Sequence, residues 1–193
     1  MDASLESSPP VFLCASPLRA RACALAAERH AGGLRWDGAP FVLHPFEVAS
    51  ILANTGGSDE VVAAGMLHDV LEKTDTVAGE LRDQVGDEVA ALVVAVSEDP
   101  AIADYAARKR VLRECAAAAG MDALAVLAAD KVTKVRELRS QLLSGGGEDR
   151  DARLRLEHYE DTLATVRVHA PELPLTRQLE FELWALAAMP PRR

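Results

Sequence analysis

The chain has 193 residues, of which 49% are hydrophobic and only 4% aromatic, and its formal net charge is −9 at pH 7. This length is enough for one domain with a real core, and the dominance of Ala, Leu and Val favours packed helices over a sheet. The acidic balance argues against a protein held to nucleic acid by its overall field, although a local basic pocket is compatible with it.

The chain is predicted to be a cytoplasmic protein without a membrane partner. No apolar run approaches the roughly 18 residues that a membrane span needs. Residues 1–6 carry two acids and no base, so they lack the positive segment of a signal peptide. Cys14, Cys23 and Cys115 have no paired spacing, so we expect reduced thiols rather than disulfides or a zinc ribbon. The sequence leaves open whether the chain forms a homo-oligomer.

Two segments are predicted, a flexible N-terminal arm over residues 1–15 and one helical domain over residues 16–190. Ser16 followed by Pro17 is typical of a helix start, and the first helix should end before Gly32. A turn-rich stretch follows, and Pro45 indicates the start of a second helix. Ser58 is predicted to cap a third helix, which would run on through residues 68–72.

The rest of the chain is also predicted to be helical. The pattern favours helices near 77–85 and 88–96, from about 104 to 119, from about 122 through 131, and over about 153–169 and 175–189, with a flexible loop at 144–147. The predicted fold class is therefore all-α, a single bundle of about eight to ten helices.

The stretch at the end of the third predicted helix carries chemistry. On a helix, Glu72 lies four residues after His68 and three after Asp69, so the three side chains would share one face. That face would hold a nitrogen ligand, an oxygen ligand and a carboxylate that can transfer a proton.

Two further residues complete a set of four metal ligands. His44 lies beside an apolar segment, and Asp130 follows seven residues without a polar side chain, so both are predicted to be buried, where an unpaired ionisable group is costly. Two histidines and two aspartates suit manganese, iron or zinc better than magnesium, which prefers all-oxygen ligands.

The order His44, then His68-Asp69, then Asp130 resembles the signature of the HD-domain metal-dependent phosphohydrolases. A closer resemblance is to the hydrolase domain of the RelA/SpoT family and its small stand-alone relatives, over roughly residues 18–185. The matching positions are His30, Arg35, Gly38, residues 39–41, His44-Pro45, residues 67–72, residues 74–76 and residues 129–131.

This resemblance implies an all-α HD-domain fold and an enzyme that removes the 3′-diphosphate from guanosine tetra- and pentaphosphate. It implies a manganese ion on the four ligands just named and Glu72 as the catalytic carboxylate. It also implies that Arg35, Tyr159 and the 130–136 segment lie near the nucleotide.

The chain departs from the family around this implied substrate site. Lys73 stands where the family usually has an acid beside the catalytic Glu72, and it would either clamp a phosphate in the catalytic centre or pair with Asp69 and disturb the metal. Trp36 replaces a basic residue and would either stack on a purine or pack its turn onto the core. Lys134 replaces Asn and would either contact a phosphate or be a solvated lysine.

Three functions are compatible with these residues. The first is hydrolysis of a nucleotide with clustered phosphates, for which guanosine tetraphosphate is the best substrate candidate. The second is hydrolysis of a different nucleotide, and the third is a regulator that binds metal and nucleotide but has lost turnover through the change at Lys73.

Overall fold

The computed structural model describes residues 9–144 and 150–189, and within these ranges it contains a 3-10 helix, ten α-helices and no β-strand. The elements are the 3-10 helix Val11–Cys14, α1 Pro17–Arg29, α2 Leu43–Asn54, α3 Asp59–Leu67, α4 Val70–Lys73, α5 Ala78–Val85, α6 Asp87–Ala95, α7 Tyr105–Ala119, α8 Met121–Leu143, α9 Arg150–His169 and α10 Pro174–Ala187. The predicted all-α fold class is confirmed. None of the described helices is long and apolar enough to cross a bilayer.

The helices fall into two compact units, residues 1–97 and residues 98–193. In the first unit α3 packs against α1, α2 and α6, and in the second unit α8 packs against α7, α9 and α10. Both central helices are buried over long stretches, since every residue from 61 to 67 and from 123 to 133 is buried. The single domain expected over residues 16–190 stays a prediction.

The end of the expected N-terminal arm is folded. The 3-10 helix packs against α1 and α2 and buries Leu13. Residues 1–8 of the arm, and residues 145–147 of the loop predicted near 144–147, lie outside the described residues.

Side-chain caps confirm several predicted helix starts. The Ser16 hydroxyl accepts the Arg19 backbone N–H (3.3 Å), and the Ser58 hydroxyl accepts the Val61 backbone N–H (3.2 Å). Asp104 caps α7 in the same way, through the Ala107 N–H at 2.7 Å. Each cap satisfies one of the backbone donors that the first helical turn leaves without a partner.

The start of α2 differs from the prediction. The helix begins at Leu43 rather than at Pro45, because the preceding turn already has helical hydrogen bonds: the Leu43 N–H donates to the Pro40 carbonyl (3.2 Å) and the His44 N–H to the Phe41 carbonyl (2.9 Å). Pro45 is tolerated there since first-turn residues need no intrahelical donor. As a result His44 lies in the first turn of α2.

The continuous helix predicted through residues 68–72 is wrong. Helix α3 ends at Leu67, His68 and Asp69 form a turn, and α4 is a single turn that ends when Thr74 becomes extended. The Asp69 carbonyl accepts both the Glu72 N–H (3.2 Å) and the Lys73 N–H (2.9 Å), a tightened pattern common at helix termini. The turn buries His68 and Asp69 but leaves Glu72 exposed, so these side chains do not share one buried face.

Gly65 allows α2 and α3 to approach each other closely. A Cβ atom at this position would lie 2.5 Å from Cδ1 of the buried Leu52 and 3.4 Å from Cγ1 of Val48. The glycine is therefore required by packing.

We expect Gly65→Ala to lower the free energy of unfolding by about 1–3 kcal/mol, the usual cost of inserting a methyl group into a filled core. Urea denaturation of the full chain measures this change. Gly79→Ala is the matched control: it also lies in a helix, a Cβ atom added there would meet no other atom within 4 Å, and alanine is the better helix former. Equal stability of Gly65→Ala and the parent chain would contradict the packing role.

Candidate metal centre

His68 is held in a defined orientation by the end of α3. Its Nδ1–H donates to the Gly65 carbonyl oxygen at 2.9 Å. Because a carbonyl oxygen only accepts, this bond places the proton on Nδ1 and leaves the Nε2 lone pair for a ligand. The turn that ends α3 thus fixes the orientation of the ring.

Three buried side chains of the first unit converge at this turn. Asp69 Oδ2 lies 3.6 Å from His44 Nε2 and 3.5 Å from His68 Nε2. The two imidazoles meet edge to face with ring centroids 5.2 Å apart, and a nitrogen of each lies within 4.8 Å of the other. Two imidazole nitrogens and a carboxylate oxygen at this spacing fit a divalent transition-metal ion, which is the kind of ion predicted from the sequence.

His30 and Phe41 lie beside this cluster. The ring centroids of His30 and Phe41 are 4.9 Å apart, and those of Phe41 and His44 are 6.0 Å apart. Burial lowers the pKa of His30 below its ordinary value, while the negative charge of Asp69 acts in the opposite direction. The imidazole of His30 is therefore neutral at neutral pH, and it can take part in hydrogen bonds without adding charge next to the cluster.

Glu72 and Lys73 are exposed on the single turn of α4. Within the described part of the chain, Lys73 makes no ion pair with Asp69, so the disturbing contact considered from the sequence is not formed. The lysine instead lines a cavity of about 290 Å³ together with residues of α1 and the following turn.

The predicted nucleotide-binding residues of the first unit lie in the turn before α2. The Arg35 guanidinium donates to Glu47 Oε1 at 3.2 Å, and the Arg35 N–H donates to the Ala39 carbonyl at 2.8 Å. Trp36 keeps 45% of its surface exposed, which leaves much of its ring open to a partner.

Asp130 is buried in α8 and is held there by two lysines. Its Oδ2 accepts Lys131 Nζ at 2.5 Å and Lys134 Nζ at 3.1 Å. Burial lowers the pKa of Lys131 to about 8, and the charge of Asp130 opposes that shift. Lys134 thus has a carboxylate partner within its own helix, which neither alternative drawn from the sequence included.

A second polar group of this unit was missed by the sequence analysis. Arg113 Nη1 donates to His158 Nδ1 (2.9 Å), and its Nη2 donates to Asp161 (2.9 Å). An arginine donor at Nδ1 requires a neutral imidazole, and burial also lowers the pKa of His158. Because Arg113 and His158 are 45 residues apart, no local sequence pattern predicts this contact.

A family model described as the HD domain matches residues 22–157. The chain belongs to the HD domain family. The predicted family is therefore confirmed.

Several relatives share a name that specifies a reaction. The guanosine-3′,5′-bis(diphosphate) 3′-pyrophosphohydrolase MESH1 of Homo sapiens is 35% identical over 129 residues, which are 65% of this chain and 72% of that protein. The guanosine-3′,5′-bis(diphosphate) 3′-pyrophosphohydrolase of Aquifex aeolicus is 38% identical over 101 residues, and a probable GTP pyrophosphokinase of Mycobacterium leprae is 35% identical over 122. These last matches cover 50% and 62% of this chain but only 14% and 16% of the longer relatives.

Two solved structures share the fold. One, described as a metazoan ortholog of SpoT that hydrolyses ppGpp, superimposes with a TM-score of 0.74 at 25% identity and covers 89% of this chain and 94% of the other. The second is from Listeria monocytogenes EGD-e, with a TM-score of 0.67 at 25% identity, and covers 76% of this chain and 97% of the other.

The buried phenol of Tyr159 in the second unit should make the stability of the chain depend on pH. Burial raises its pKa to about 12 from an ordinary value of 10, so the phenol stays protonated and remains a hydrogen-bond donor. Because the pKa is higher in the folded state, the phenol contributes stability that is complete below pH 10 and is lost as the pH rises through about 12. We expect Tyr159→Phe to lose less free energy of unfolding than the parent chain over this pH range, measured by urea denaturation at each pH. A parallel pH dependence of Tyr159→Phe and the parent would rule out the effect.

Proposed function

We propose that this chain is a metal-dependent phosphohydrolase that releases pyrophosphate from the 3′ position of guanosine 3′,5′-bis(diphosphate). The observation that carries the proposal is the buried His44–His68–Asp69 cluster, in which the hydrogen bond of His68 leaves a ring nitrogen ready for a metal. The relatives named for this reaction support the choice of substrate.

Asp130 is the proposed fourth ligand, and manganese is the proposed ion. Support comes from the ligand order of the HD family and from the donor set, which suits a transition metal better than magnesium. When bound, the ion would act as a Lewis acid on a phosphoryl oxygen. The bonds from Lys131 and Lys134 meanwhile hold the Asp130 carboxylate in position.

Glu72 is the proposed proton acceptor. Its exposed carboxylate lies in the one-turn helix α4, directly after the turn formed by His68 and Asp69, where water and substrate can reach it. The attacking water would give a proton to Glu72 as its oxygen bonds the phosphorus next to the ribose. The bond from that phosphorus to the 3′ oxygen breaks, the 3′ oxygen takes up a proton, and pyrophosphate and GDP are the products.

The substrate contacts are assigned to Arg35, Trp36, Lys134 and Tyr159, with Lys73 next to the catalytic carboxylate. Arg35 and Lys134 would contact phosphates while also pairing with Glu47 and Asp130. The open ring of Trp36 supplies a stacking surface, and Tyr159 supplies a neutral hydroxyl. A cytoplasmic location completes the proposal, supported by three free cysteines at Cys14, Cys23 and Cys115.

Lys73 is the observation that favours two alternative functions, because it stands where the family usually has an acid. A changed charge beside Glu72 favours either a different nucleotide substrate or a regulator that binds nucleotide without turnover. Product analysis over a panel of nucleotides identifies the first case. Activity that appears only in Lys73→Asp identifies the second.

We expect the manganese-loaded chain to release pyrophosphate from guanosine 3′,5′-bis(diphosphate), measured by a coupled phosphate assay with chromatography of GDP. Glu72→Gln should lower kcat by about 10²–10⁴, the usual contribution of a general base, while metal affinity stays unchanged. His68→Ala should lose both metal binding and activity, because it removes a ligand.

Glu88→Gln is the matched control, since it neutralises an exposed glutamate on α6. Absence of pyrophosphate release at full manganese occupancy would contradict the proposed reaction. Full activity in Glu72→Gln would contradict only the role given to that carboxylate.

A further inference from the structure

The first unit contains a basic cavity on an acidic protein. The cavity has a volume of about 290 Å³, and three of its seven lining residues carry basic side chains, whereas none carries a carboxylate. The lining residues are Arg29, His30, Ala31, Gly33, Leu34, Phe41 and Lys73. Since the whole chain carries a net charge of −9, such a grouping of basic side chains favours an anionic ligand.

Lys73 supplies the charge that is available in this cavity. Its ammonium is exposed and has no hydrogen bond or ion pair to another residue within the described ranges. Arg29, by contrast, is paired with Glu80 and lies 4.0 Å from Glu28, so much of its charge is already neutralised. An anion in the cavity would therefore depend mainly on Lys73.

Two polar atoms in the lining residues have unused hydrogen-bonding capacity. Nε of Arg29 and Nε2 of His30 are both buried and have no hydrogen-bond partner among the described residues. Buried polar atoms of this kind are usually satisfied by protein, water or a ligand. Leu34 and Phe41 complete the wall with apolar surface, which suits an organic group attached to the anion.

We propose that this cavity is a phosphate subsite that binds a diphosphate group, held by Lys73 and completed by Arg29 and His30. The Lys73 ammonium has three N–H donors and a full positive charge, which suit the oxygens of a diphosphate. The proposal rests on the proposed function for its ligand class, a phosphate-rich nucleotide or the pyrophosphate that it releases. It gives Lys73 a binding role that an acid at the same position would oppose by repulsion.

Calorimetric titration of the metal-free full chain tests this subsite without turnover. The probes are inorganic pyrophosphate and GDP, which carry a diphosphate group in two forms. We expect Lys73→Gln to weaken binding by about 10-fold or more, the effect of losing one charge-assisted contact. Because Lys73 is exposed, the variant should unfold at the same denaturant concentration as the parent.

Arg82→Gln is the matched control, since it removes a positive charge from an exposed position of the same unit and should leave both affinities unchanged. Weakening of both probes assigns the subsite to the shared diphosphate group. Weakening of pyrophosphate alone or of GDP alone assigns it to the free product or to the nucleotide.

Equal binding by Lys73→Gln and the parent chain, or no binding of either probe at millimolar concentration, would overturn the subsite. The two proposals fail separately. A chain that binds pyrophosphate through Lys73 but hydrolyses no guanosine 3′,5′-bis(diphosphate) loses the proposed reaction and keeps the subsite. A chain that hydrolyses the nucleotide but ignores Lys73→Gln loses the subsite alone.

Discussion

The hydrogen bond from His68 to the Gly65 carbonyl links the turn of His68 and Asp69 to the close packing of α3 against α2. Gly65 lies against Leu52 and Val48 of α2, and the same helix carries His44 in its first turn. A shift of α3 along α2 would therefore move both imidazoles relative to each other. The position of the cluster thus depends on this packing.

The second unit stabilises its buried acid by a different means. Asp130 is buried away from solvent, and lysines one and four residues later in α8 compensate its charge. Lys131 also benefits, since it is buried and a buried ammonium without an anion is strongly disfavoured. The helix thus carries its own counterions, whereas His44, His68 and Asp69 come from one helix and a turn.

The sequence predicted the helices well because caps and glycines are local signals. Ser16, Ser58 and Asp104 begin helices by bonding to a backbone N–H three residues ahead, which needs no tertiary contact. The burial of Asp130 was predicted from the apolar run before it. In contrast, the break after Leu67 has no glycine or proline to announce it, and the pairing of Arg113 with His158 joins distant segments.

The break after Leu67 divides residues 68–73 between a buried turn and an exposed short helix. His68 and Asp69 lie inside the core, where a change of size or charge affects folding. Glu72 and Lys73 are exposed on a one-turn helix, and Lys73 lines the basic cavity. Substitution at position 73 is therefore nearly neutral for folding, although it alters the field around the neighbouring carboxylate. A scaffold built this way can exchange the charge beside its reactive group and keep the ligands beneath it intact.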